Sequence, residues 1–498
     1  MTIANVATMI SHPRHLFIDG DWTSPSSNSM IDVVSPTNED VFLRVAAAQA
    51  ADVDRAVAAA REAFDRGPWP RMSHAERAGY LREIGKRIAV RAPDLADLWT
   101  GEVGMIRAMS GMMIPFVGQL FDFYASLADS FAFEERHRAS QGGVGLLVRE
   151  PVGVVAAIVP WNAPLLLMTL KLAPALLAGC TVILKASPEA PGAAYVMAEI
   201  LEAVGLPKGV VNVLTADREV SELLVRHPGV DKVTFTGSSL AGKKIASICG
   251  ERVARCTLEL GGKSAAVILD DYDLGMAAQT IAQAAQVNTG QICASLSRVI
   301  VSRDRHDAFV EAMAESFAKT RVGDPFDSLT EMGPLATSRH RERVEGYIEK
   351  GRAQDAMLAA GGGRPQHLDR GFFIEPTLFG RVENDMIIAR EEIFGPVISV
   401  IPAKDEQEAL AIANDSDFGL NASVFTDDVE RAYAAARALR SGTVGHNSFQ
   451  SDFTIAFGGF KQSGIGREGG VEGLLPFLES KTIVLAGEPA HLAKGVAA

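Results

Sequence analysis

The sequence predicts an α/β protein with two doubly wound domains, and three observations support this. The chain has 498 residues, which is too many for one ordinary core. From residue 152 onward, short apolar strands such as VGVVAAIV and TVILKA alternate with helices, as in parallel βαβ units. A second alternating region runs from about residue 259 to 440, with the strands SAAVIL, SRVIVS and VISVI. We therefore expect two separate parallel sheets.

Residues 1–130 are expected to be mainly helical. These helices should cover the first sheet. Ser73 and Glu76 form a capping-box pattern before an amphipathic run, and Asp52 opens an Ala-rich helix. We expect residues 1–130 and 153–258 to form one domain and 259–440 the other. Residues 131–152 and 471–498 contain short extended stretches that fit neither domain, so we expect them to pair with another subunit. Residues 441–470 are expected to form a separate loop region.

The overall composition excludes several classes of partner. There are 48 Lys and Arg residues against 61 Asp and Glu, a formal charge of −13, which gives no general attraction to nucleic acid or to anionic membranes. Cys180, Cys249, Cys256 and Cys293 include no CxxC pair, so neither a disulfide framework nor a metal site is indicated. No apolar run reaches about 18 residues and the first residues lack a signal-peptide pattern. We expect a cytoplasmic protein.

Two glycine-containing segments are candidates for binding a phosphate. Gly464, Gly466 and Gly469 match the GxGxxG pattern, but no strand of a βαβ unit precedes them, so a tight loop is the better interpretation. The segment FTGS at 235–238 closes a strand and opens a helix whose free amides can face an anion. Taken alone, FTGS is better interpreted as an ordinary capped turn.

Six segments together indicate a family. They are PWNAP at 160–164, FTGS at 235–238, LELGGKS at 258–264, NTGQICA at 288–294, EEIFGPV at 391–397 and FGGFKQSGIGRE at 457–468. Their order and spacing resemble the aldehyde dehydrogenase superfamily from about residue 15 to 485. The resemblance implies the fold of that family: a nucleotide-binding domain (1–130 and 153–258), a catalytic domain (259–440) and a small β oligomerisation element (131–152 and 471–498). It also implies a homodimer or homotetramer and a substrate and catalytic loop region at 441–470.

The resemblance assigns the reacting groups. Cys293 matches the nucleophile, and a thiolate suits this role because it adds reversibly to a carbonyl. The small or polar residues beside Cys293 distinguish it from the other three cysteines, which we interpret as packing residues. Asn162 matches the side-chain donor of the oxyanion hole. Glu259 matches the general base; flanked by two leucines, it is either buried with a raised pKa or exposed at a bend.

The remaining matches concern proton transfer and the coenzyme. Lys171 and Glu468 match positions that relay a proton, although a structural ion pair is the alternative. We expect NAD as coenzyme, with NADP possible. The candidate coenzyme-binding residues are Ile158, Val159, Trp161, Lys185, Ser187, Glu189, Gly237, Ser238, Leu260, Glu392 and Phe394.

Two positions depart from the family pattern. Pro188 stands where many NAD-preferring members have a Glu, and Glu189 follows one position late. A carboxylate near the ribose 2′-hydroxyl would repel the extra phosphate of NADP, so its displacement leaves the coenzyme preference open. Ala456 replaces the Pro that the family usually has before Phe457.

The expected substrate path is apolar. In the family, the helix after the Trp-Asn motif, the residues beside the nucleophile and the loop before FGG line this path. Here they are Leu166, Leu167, Leu170, Ile292, Phe449, Phe453 and Phe457, with Met109, Met112, Met113 and Phe116 as a possible outer wall. We therefore expect a hydrophobic aldehyde, aromatic, terpenoid or medium-chain, although these residues could simply be core.

Two alternatives remain open. A CoA-acylating semialdehyde dehydrogenase would pass the acyl group to CoA, and Glu259 counts against it because such relatives generally lack that base. A catalytically silent binding or structural protein on this fold is the other, and the joint presence of Cys293, Asn162 and Glu259 counts against that.

Overall fold

The computed structural model describes residues 9–140, 142–487 and 489. The outer ends of the two expected terminal segments, 1–8 and 490–498, lie outside the described residues, as do 141 and 488.

The amino-terminal part begins with strands rather than helices. The prediction of a mainly helical start is wrong for residues 16–46, where two antiparallel strand pairs form. It is confirmed after residue 50, and the Ser73–Glu76 capping box is present. The elements are β1 (Leu16–Ile18), β2 (Asp21–Thr23), β3 (Met30–Val34), β4 (Val41–Ala46), α1 (Ala50–Asp65), α2 (His74–Val90), α3 (Ala92–Val103) and α4 (Arg107–Ser130).

The predicted βαβ alternation after residue 152 is confirmed. The elements are β5 (Glu134–Arg138), β6 (Val144–Pro151), β7 (Val154–Ile158), α5 (Pro164–Ala178), β8 (Thr181–Ala186), α6 (Gly192–Val204), β9 (Val211–Thr215), α7 (Arg218–Arg226), β10 (Lys232–Thr236), α8 (Ser239–Glu251) and β11 (Arg255–Glu259). Five parallel strands run β9-β8-β7-β10-β11, extended by β1 and β2 at one edge. The strand order reverses between β7 and β10, where doubly wound sheets bind ligands.

The second region forms its own sheet. Its elements are β12 (Ser264–Ile268), α9 (Leu274–Gln286), β13 (Leu296–Ser302), α10 (His306–Ala318), α11 (Ser338–Ala353), β14 (Met357–Ala360), β15 (Thr377–Gly380), α12 (Ile387–Arg390), β16 (Val397–Ala403), α13 (Glu406–Asn414), β17 (Phe418–Gly419), β18 (Asn421–Phe425), α14 (Val429–Ala438) and β19 (Thr443–His446). The order is β14-β15-β16-β13-β12-β18-β19, parallel except at β14. Because β19 pairs with β18, this sheet extends past the expected boundary at 440.

The extended stretches outside both regions pair with each other. The last elements are β20 (Phe460–Lys461), β21 (Gly464–Ile465), α15 (Gly470–Leu474) and β22 (Leu478–Leu485). β22 pairs along its whole length with β6, and β6 pairs with β5, all antiparallel. The sequence did not predict this pairing within the chain, and the expected pairing with another subunit stays a prediction. None of the helices in the described part of the chain is both long and apolar enough to span a bilayer.

Helix α5 shows how deeply the segment after the Trp-Asn motif is buried. Every residue of this helix is buried, and it packs within the largest apolar cluster together with α2, α3 and α4. A helix that is apolar all round belongs in a core. The rigid helix that follows Asn162 therefore fixes the position of the loop that carries it.

Arg298 anchors the second sheet to the segment between the two sheets. Its guanidinium is 1% exposed and donates to the main-chain oxygen of Lys263 at 3.1 Å, to Asn384 Oδ1 at 2.9 Å and to the oxygen of Ala413 at 2.9 Å. Each of these acceptors depends on Arg298 because buried oxygens left without a donor are costly.

Replacing Arg298 with Met should therefore lower the free energy of unfolding by about 3 kcal/mol or more, since several buried acceptors lose a charged donor. Arg303→Met is the matched control, because Arg303 is exposed just beyond the same strand. Urea unfolding followed by fluorescence would measure both. Equal stability of the Arg298 variant and the wild type would contradict the anchoring role.

Candidate active site

The carboxyl edge of the first sheet meets the amino edge of the second at the segment 260–263. β11 ends at Glu259 and β12 begins at Ser264. A Cβ on Gly261 would overlap the carboxylate of Glu392, and a Cβ on Gly262 would lie 2.5 Å from the main-chain oxygen of Cys293. Only glycine permits this approach. The two glycines of LELGGKS therefore bring together the strand that ends at Glu259, the backbone of Cys293 and the carboxylate of Glu392.

The expected nucleophile, Cys293, follows a strained turn. Asn288, Thr289 and Gly290 have φ values of 49°, 55° and 71°, which place three consecutive residues in the left-handed region. This conformation is unfavourable for a β-branched residue, so surrounding bonds must hold it. Thr289 Oγ1 donates to the oxygen of Gly333 at 3.0 Å, and Gln291 Oε1 accepts from the amide of Ala336 at 2.8 Å. The sequence analysis assigned these residues no role.

Cys293 lies at the end of this turn, partly buried. Burial, followed by the charges of Glu392 and Glu259, raises the pKa of its thiol to about 12. The Cys293 thiol is therefore protonated near neutral pH, and the two carboxyl groups beside it belong to the expected base, Glu259, and to a candidate coenzyme ligand, Glu392. Activation requires a nearby group that accepts the proton.

The three other cysteines lie outside this junction. Cys180 and Cys249 are buried, and Cys249 packs with Cys256 in the apolar cluster between α8 and the first sheet. A hydrogen bond from Cys249 lowers the pKa of Cys256 to about 6. Acidity alone would therefore select Cys256, but its side chain belongs to the apolar cluster on the face of α8. Position, not thiol acidity, favours Cys293.

Asn162 is held directly against the nucleophile turn. Its side chain is 7% exposed, and Nδ2 donates to the main-chain oxygen of Gln291 at 3.0 Å. Its own main-chain oxygen accepts from Asn288 Nδ2 and from Trp99 Nε1, each at 3.0 Å. A primary amide carries two donor hydrogens, so one remains available after the bond to Gln291.

Of the two alternatives for Glu259, a buried side chain or an exposed one at a bend, the structure shows the buried one. The residue is 2% exposed, and neither carboxylate oxygen accepts a hydrogen bond from the described residues. Burial, followed by repulsion from Glu468, raises its pKa well above the usual value. A Cβ on Gly458 would overlap Glu259 Oε1, so the loop from 457 to 459 crosses the base at the closest distance that glycine allows.

Lys171 and Glu468 form a buried ion pair. Lys171 is 0% exposed and Glu468 3%, and Lys171 Nζ also donates to Thr236 Oγ1 at 2.7 Å. The structural ion pair, which was the alternative to a proton relay, is therefore present. The charges of both residues also reach the carboxyl of Glu259, Glu468 raising and Lys171 lowering its pKa. Tyr124, which the sequence analysis did not single out, is fully buried beside Glu468, whose charge adds to the effect of burial in raising the phenol pKa.

The candidate coenzyme residues of the first sheet gather at its switch point. Ile158 pairs with Phe235 across β7 and β10, and Val159 donates to the oxygen of Lys185 at 3.1 Å. Gly237 and Ser238 follow β10, and Ser238 Oγ caps α8 by accepting from the amide of Ala241. Leu260, 7% exposed, contacts α8 across Gly242. FTGS is thus a strand-to-helix turn at the edge where doubly wound sheets bind nucleotides.

The segment after β8 contains Glu189, the carboxylate that stands one position later than in the family pattern. Lys185 is 8% exposed, and burial lowers its pKa to about 8, opposed by the charges of Glu189 and Asp217. Glu189 accepts from Ser187 Oγ and forms an ion pair with Arg339 at 3.4 Å. Its carboxylate is therefore already engaged by a hydroxyl and a cation.

Two further candidate coenzyme residues, Trp161 and Phe394, form an aromatic cluster with His340. Trp161, His340 and Phe394 contact one another with centroid distances of 5.5–5.6 Å. His340 Nε2 lies 2.6 Å from the oxygen of Phe394, and burial lowers the pKa of His340 to about 4, so the ring is neutral and donates from Nε2. Phe394 has a φ of 66°. His340 was missed because one His beginning a polar helix carries no pattern.

Glu392 contacts the inter-sheet segment directly. Oε1 accepts from the amide of Gly262 at 3.2 Å, and burial raises the pKa of Glu392 to about 7. The GxGxxG match is also placed: Gly464 pairs with Glu259 in a short antiparallel bridge, so the segment 464–469 is a loop against β11, as interpreted.

The expected substrate residues fall into two contiguous apolar clusters. Ile292, Phe449, Phe453 and Phe457 pack with Cys293, and Phe453 also packs against the large cluster that contains Leu166, Leu167 and Leu170. Leu170 is 0% exposed and lies fully in the core. Met109 and Met113 pack against the large cluster, whereas Met112 is 67% exposed and Phe116 39%, and the outer wall expected from these four residues stays a prediction.

The described residues include no cluster of His, Cys, Asp and Glu that could hold a metal ion.

Comparison with known proteins identifies the family. The aldehyde dehydrogenase family model matches residues 22–483. Geranial dehydrogenase of Castellaniella defragrans is 42% identical over 475 residues, covering 95% of this chain and 99% of that protein. The 3-succinoylsemialdehyde-pyridine dehydrogenase of Pseudomonas sp is 42% identical over 476 residues, covering 95% and 98%. The crystal structure of a Mycobacterium tuberculosis aldehyde dehydrogenase complexed with NAD+ superposes with a TM-score of 0.93 at 44% identity, covering 95% and 98%.

The chain therefore belongs to the aldehyde dehydrogenase family. It is an NAD(P)-dependent enzyme that oxidises aldehydes, and its two-sheet α/β fold is the one expected from the sequence.

Gly458→Ala tests whether the close approach of the loop 457–459 to the Glu259 carboxylate matters for activity. The added Cβ should displace the Glu259 carboxylate and lower kcat by about a hundredfold, the typical contribution of a general base. Gly205→Ala is the matched control, because Gly205 also has a positive φ, 73°, but has open space around the position of a Cβ. Steady-state kinetics and thermal midpoints would compare them. Similar activity in the two variants would contradict the crossing.

Proposed function

We propose that this enzyme oxidises a medium-sized hydrophobic aldehyde to the carboxylic acid with NAD, by thioester hydrolysis. The observation that carries the proposal is the junction of the two sheets, where Cys293, Asn162 and the buried Glu259 converge. Glu259 supports hydrolysis over acyl transfer to CoA, because a buried carboxyl of raised pKa suits a base that activates water. The expected cytoplasmic location and the homodimer or homotetramer stay predictions.

The reaction uses the groups in sequence. Cys293 Sγ adds to the aldehyde carbon, and its proton passes to a base. The oxyanion accepts hydrogen bonds from the free N–H of Asn162 and from the backbone amide of Cys293. The coenzyme, when bound, supplies the hydride acceptor. The acyl group then remains on Sγ as a thioester, and Glu259 takes a proton from the water that attacks its carbonyl carbon. The C–S bond then breaks, which releases the carboxylic acid and returns Sγ of Cys293 as the thiolate. Lys171 and Glu468 are proposed to carry that proton onward.

The residues at the switch point fit a dinucleotide. The turn at Gly237 and Ser238 offers the start of α8 to a phosphate. Lys185 is a buried cation at the adjacent strand end, and Glu392 is a partly buried carboxyl that can accept from a ribose hydroxyl. Trp161 and Phe394 would border the ring-bearing half of the coenzyme. The likeness to the NAD+ complex of the Mycobacterium tuberculosis enzyme supports this assignment.

The coenzyme preference is proposed to be NAD. Glu189 lies on the segment expected to face the ribose, and its negative charge disfavours a 2′-phosphate. Arg339 opposes this by pairing with Glu189. Specificity constants with the two coenzymes decide the preference, and a ratio favouring NADP would show that Arg339 dominates.

Cys293→Ala should abolish turnover, to below about a thousandth of the wild-type rate, because the nucleophile is removed. Cys256→Ala is the matched control, since Cys256 has the lower pKa yet lies in the apolar cluster. NADH formation measured at 340 nm would compare them. Loss of turnover in the Cys256 variant alone would overturn the assignment.

Glu259→Gln should give a rapid burst of NADH followed by slow turnover, because the thioester forms but is not hydrolysed. In the wild type, the raised pKa keeps Glu259 protonated at pH values where an ordinary carboxyl is ionised. Hydrolysis should therefore fall as the pH drops through that raised pKa, and this acid limb should be absent from the variant. Stopped-flow measurements across pH test both points, and equal loss of burst and steady rate would indicate another base.

The substrate class is proposed from the apolar cluster beside Cys293. Each methylene buried there contributes about 0.8 kcal/mol, or roughly a fourfold gain in binding. The specificity constant should rise from acetaldehyde to hexanal or benzaldehyde and stay low for succinic semialdehyde, whose carboxylate would be desolvated. Geranial, in the name of one relative, is an apolar aldehyde, whereas other relatives are named for aminoaldehyde or betaine aldehyde, so family membership leaves the choice open.

Phe453→Ala sharpens this test. It should lower the specificity constant for hexanal by about tenfold or more and that for acetaldehyde much less, because only the longer chain reaches this ring. Phe460→Ala is the control, since Phe460 lies 39% exposed outside the cluster. Equal effects on the two aldehydes would contradict the proposed path.

A further inference from the structure

Helix α3 (Ala92–Val103) contacts the loop of Asn162 and the start of α6, which follows the candidate coenzyme segment. None of the candidate site residues lies on this helix. Trp99, on its inner face, is 3% exposed, and its indole Nε1 donates to the main-chain oxygen of Asn162 at 3.0 Å. The same oxygen accepts from Asn288 Nδ2. Trp99 therefore fixes the backbone from which the oxyanion amide projects.

The end of the same helix supports the nucleophile turn from the other side. Gly104 ends α3 with a φ of 88°, and a Cβ there would lie 2.7 Å from Pro334 Cγ. The segment from Gly333 to Ala336 in turn holds the strained turn through Thr289 and Gln291. The contacts thus close a ring from α3 through the turn to Asn162 and back to Trp99.

Glu102, one turn after Trp99, connects α3 to the coenzyme segment. It is 1% exposed, and Oε1 accepts from the amide of Gly192, the first residue of α6, at 2.8 Å. Gly192 directly follows the stretch from Lys185 to Pro191. A second contact lies further along, where Arg91, the residue before α3, pairs with Glu199 in the middle of α6 at 2.8 Å. The start of α6 is thereby held against α3.

We propose that Trp99 and Glu102 are positioning residues on one helix: Trp99 acts through Asn162 on the oxyanion, and Glu102 acts through the start of α6 on the coenzyme segment. The proposal rests on the proposed function of Asn162 and of the segment after Lys185. It assigns different kinetic consequences to the two residues, since one supports the chemical step and the other supports coenzyme binding.

Trp99→Phe keeps a ring but removes the N–H. We expect kcat to fall by about tenfold, the effect of losing one buried hydrogen bond, while the Kd for NAD measured by calorimetry changes less than about twofold. Trp69→Phe is the matched control, because Trp69 is 0% exposed and its Nε1 has no partner among the described residues. Equal kcat values for the two variants would overturn the role of Trp99.

Glu102→Leu removes the acceptor for Gly192, and we expect the Kd for NAD to rise by about tenfold with a smaller change in kcat. Burial raises the pKa of Glu102 to about 8, so it is largely neutral near pH 7, and Glu102→Gln, which retains an acceptor, should restore binding. Gly192→Ala tests the same contact without altering Glu102, since its Cβ would lie 2.8 Å from Oε1, and should weaken NAD binding as well.

The outcomes are distinguishable from failure of the proposed function. If wild-type protein forms no NADH from any aldehyde yet binds NAD, the proposed function fails and the Kd series still tests Glu102. If the wild type is active and the Glu102 variants bind NAD like the wild type, or lose kcat and binding in parallel with their thermal midpoints, the residue is structural only and the inference is wrong.

Discussion

The close approach at Gly261 and Gly262 is the constraint on which the site depends. Four residues separate the base strand of the first sheet from the first strand of the second. The main chain there passes against the carboxylate of Glu392 on one side and the backbone of Cys293 on the other. No side chain fits between these groups. The groups from three distant segments can meet only because the connection lacks side chains at those two positions.

Much of this arrangement could be predicted from the sequence, and the limits are physical. Buried parallel strands appear in the sequence as short apolar runs, so β7, β8 and β12 could be predicted from the local pattern. The strands between residues 16 and 46 are short and mixed in polarity, and pairing partners such as β6 and β22 lie more than three hundred residues apart. Local pattern carries no information about such long-range pairing. The family resemblance supplied roles for Cys293 and Glu259, which local chemistry left open.

The supporting residues were the hardest to predict. Thr289 in a left-handed conformation contradicts its backbone preference, and Asn288 and Gln291 are ordinary polar residues until their partners are known. The strain is stabilised from outside, by bonds to residues 333–336 and to Asn162. Trp99 and Glu102 belong to a helix whose pattern indicates only burial. The proposed roles of these residues depend on contacts with distant elements, and a local sequence pattern does not show such contacts.

The electrostatics of the junction explain why acidity does not select the nucleophile. Cys293 shares its surroundings with Glu259 and Glu392, so ionising the thiol there is disfavoured by burial and by two nearby carboxyl groups, while Cys256 is more acidic among apolar side chains. The same burial that raises the thiol pKa raises that of Glu259, and a base of raised pKa takes a proton from water or a thiol more readily once it is ionised. Lys171 and Arg467 both carry charges that lower the pKa of Glu259, and Lys171 also pairs with Glu468. The hydroxyl partner of Lys171, Thr236, ends a strand at the candidate coenzyme edge. One of the two cations beside the proposed base is therefore bonded to β10, the strand whose end forms the candidate phosphate turn, so a shift of that strand end would also reach the charge that favours ionised Glu259.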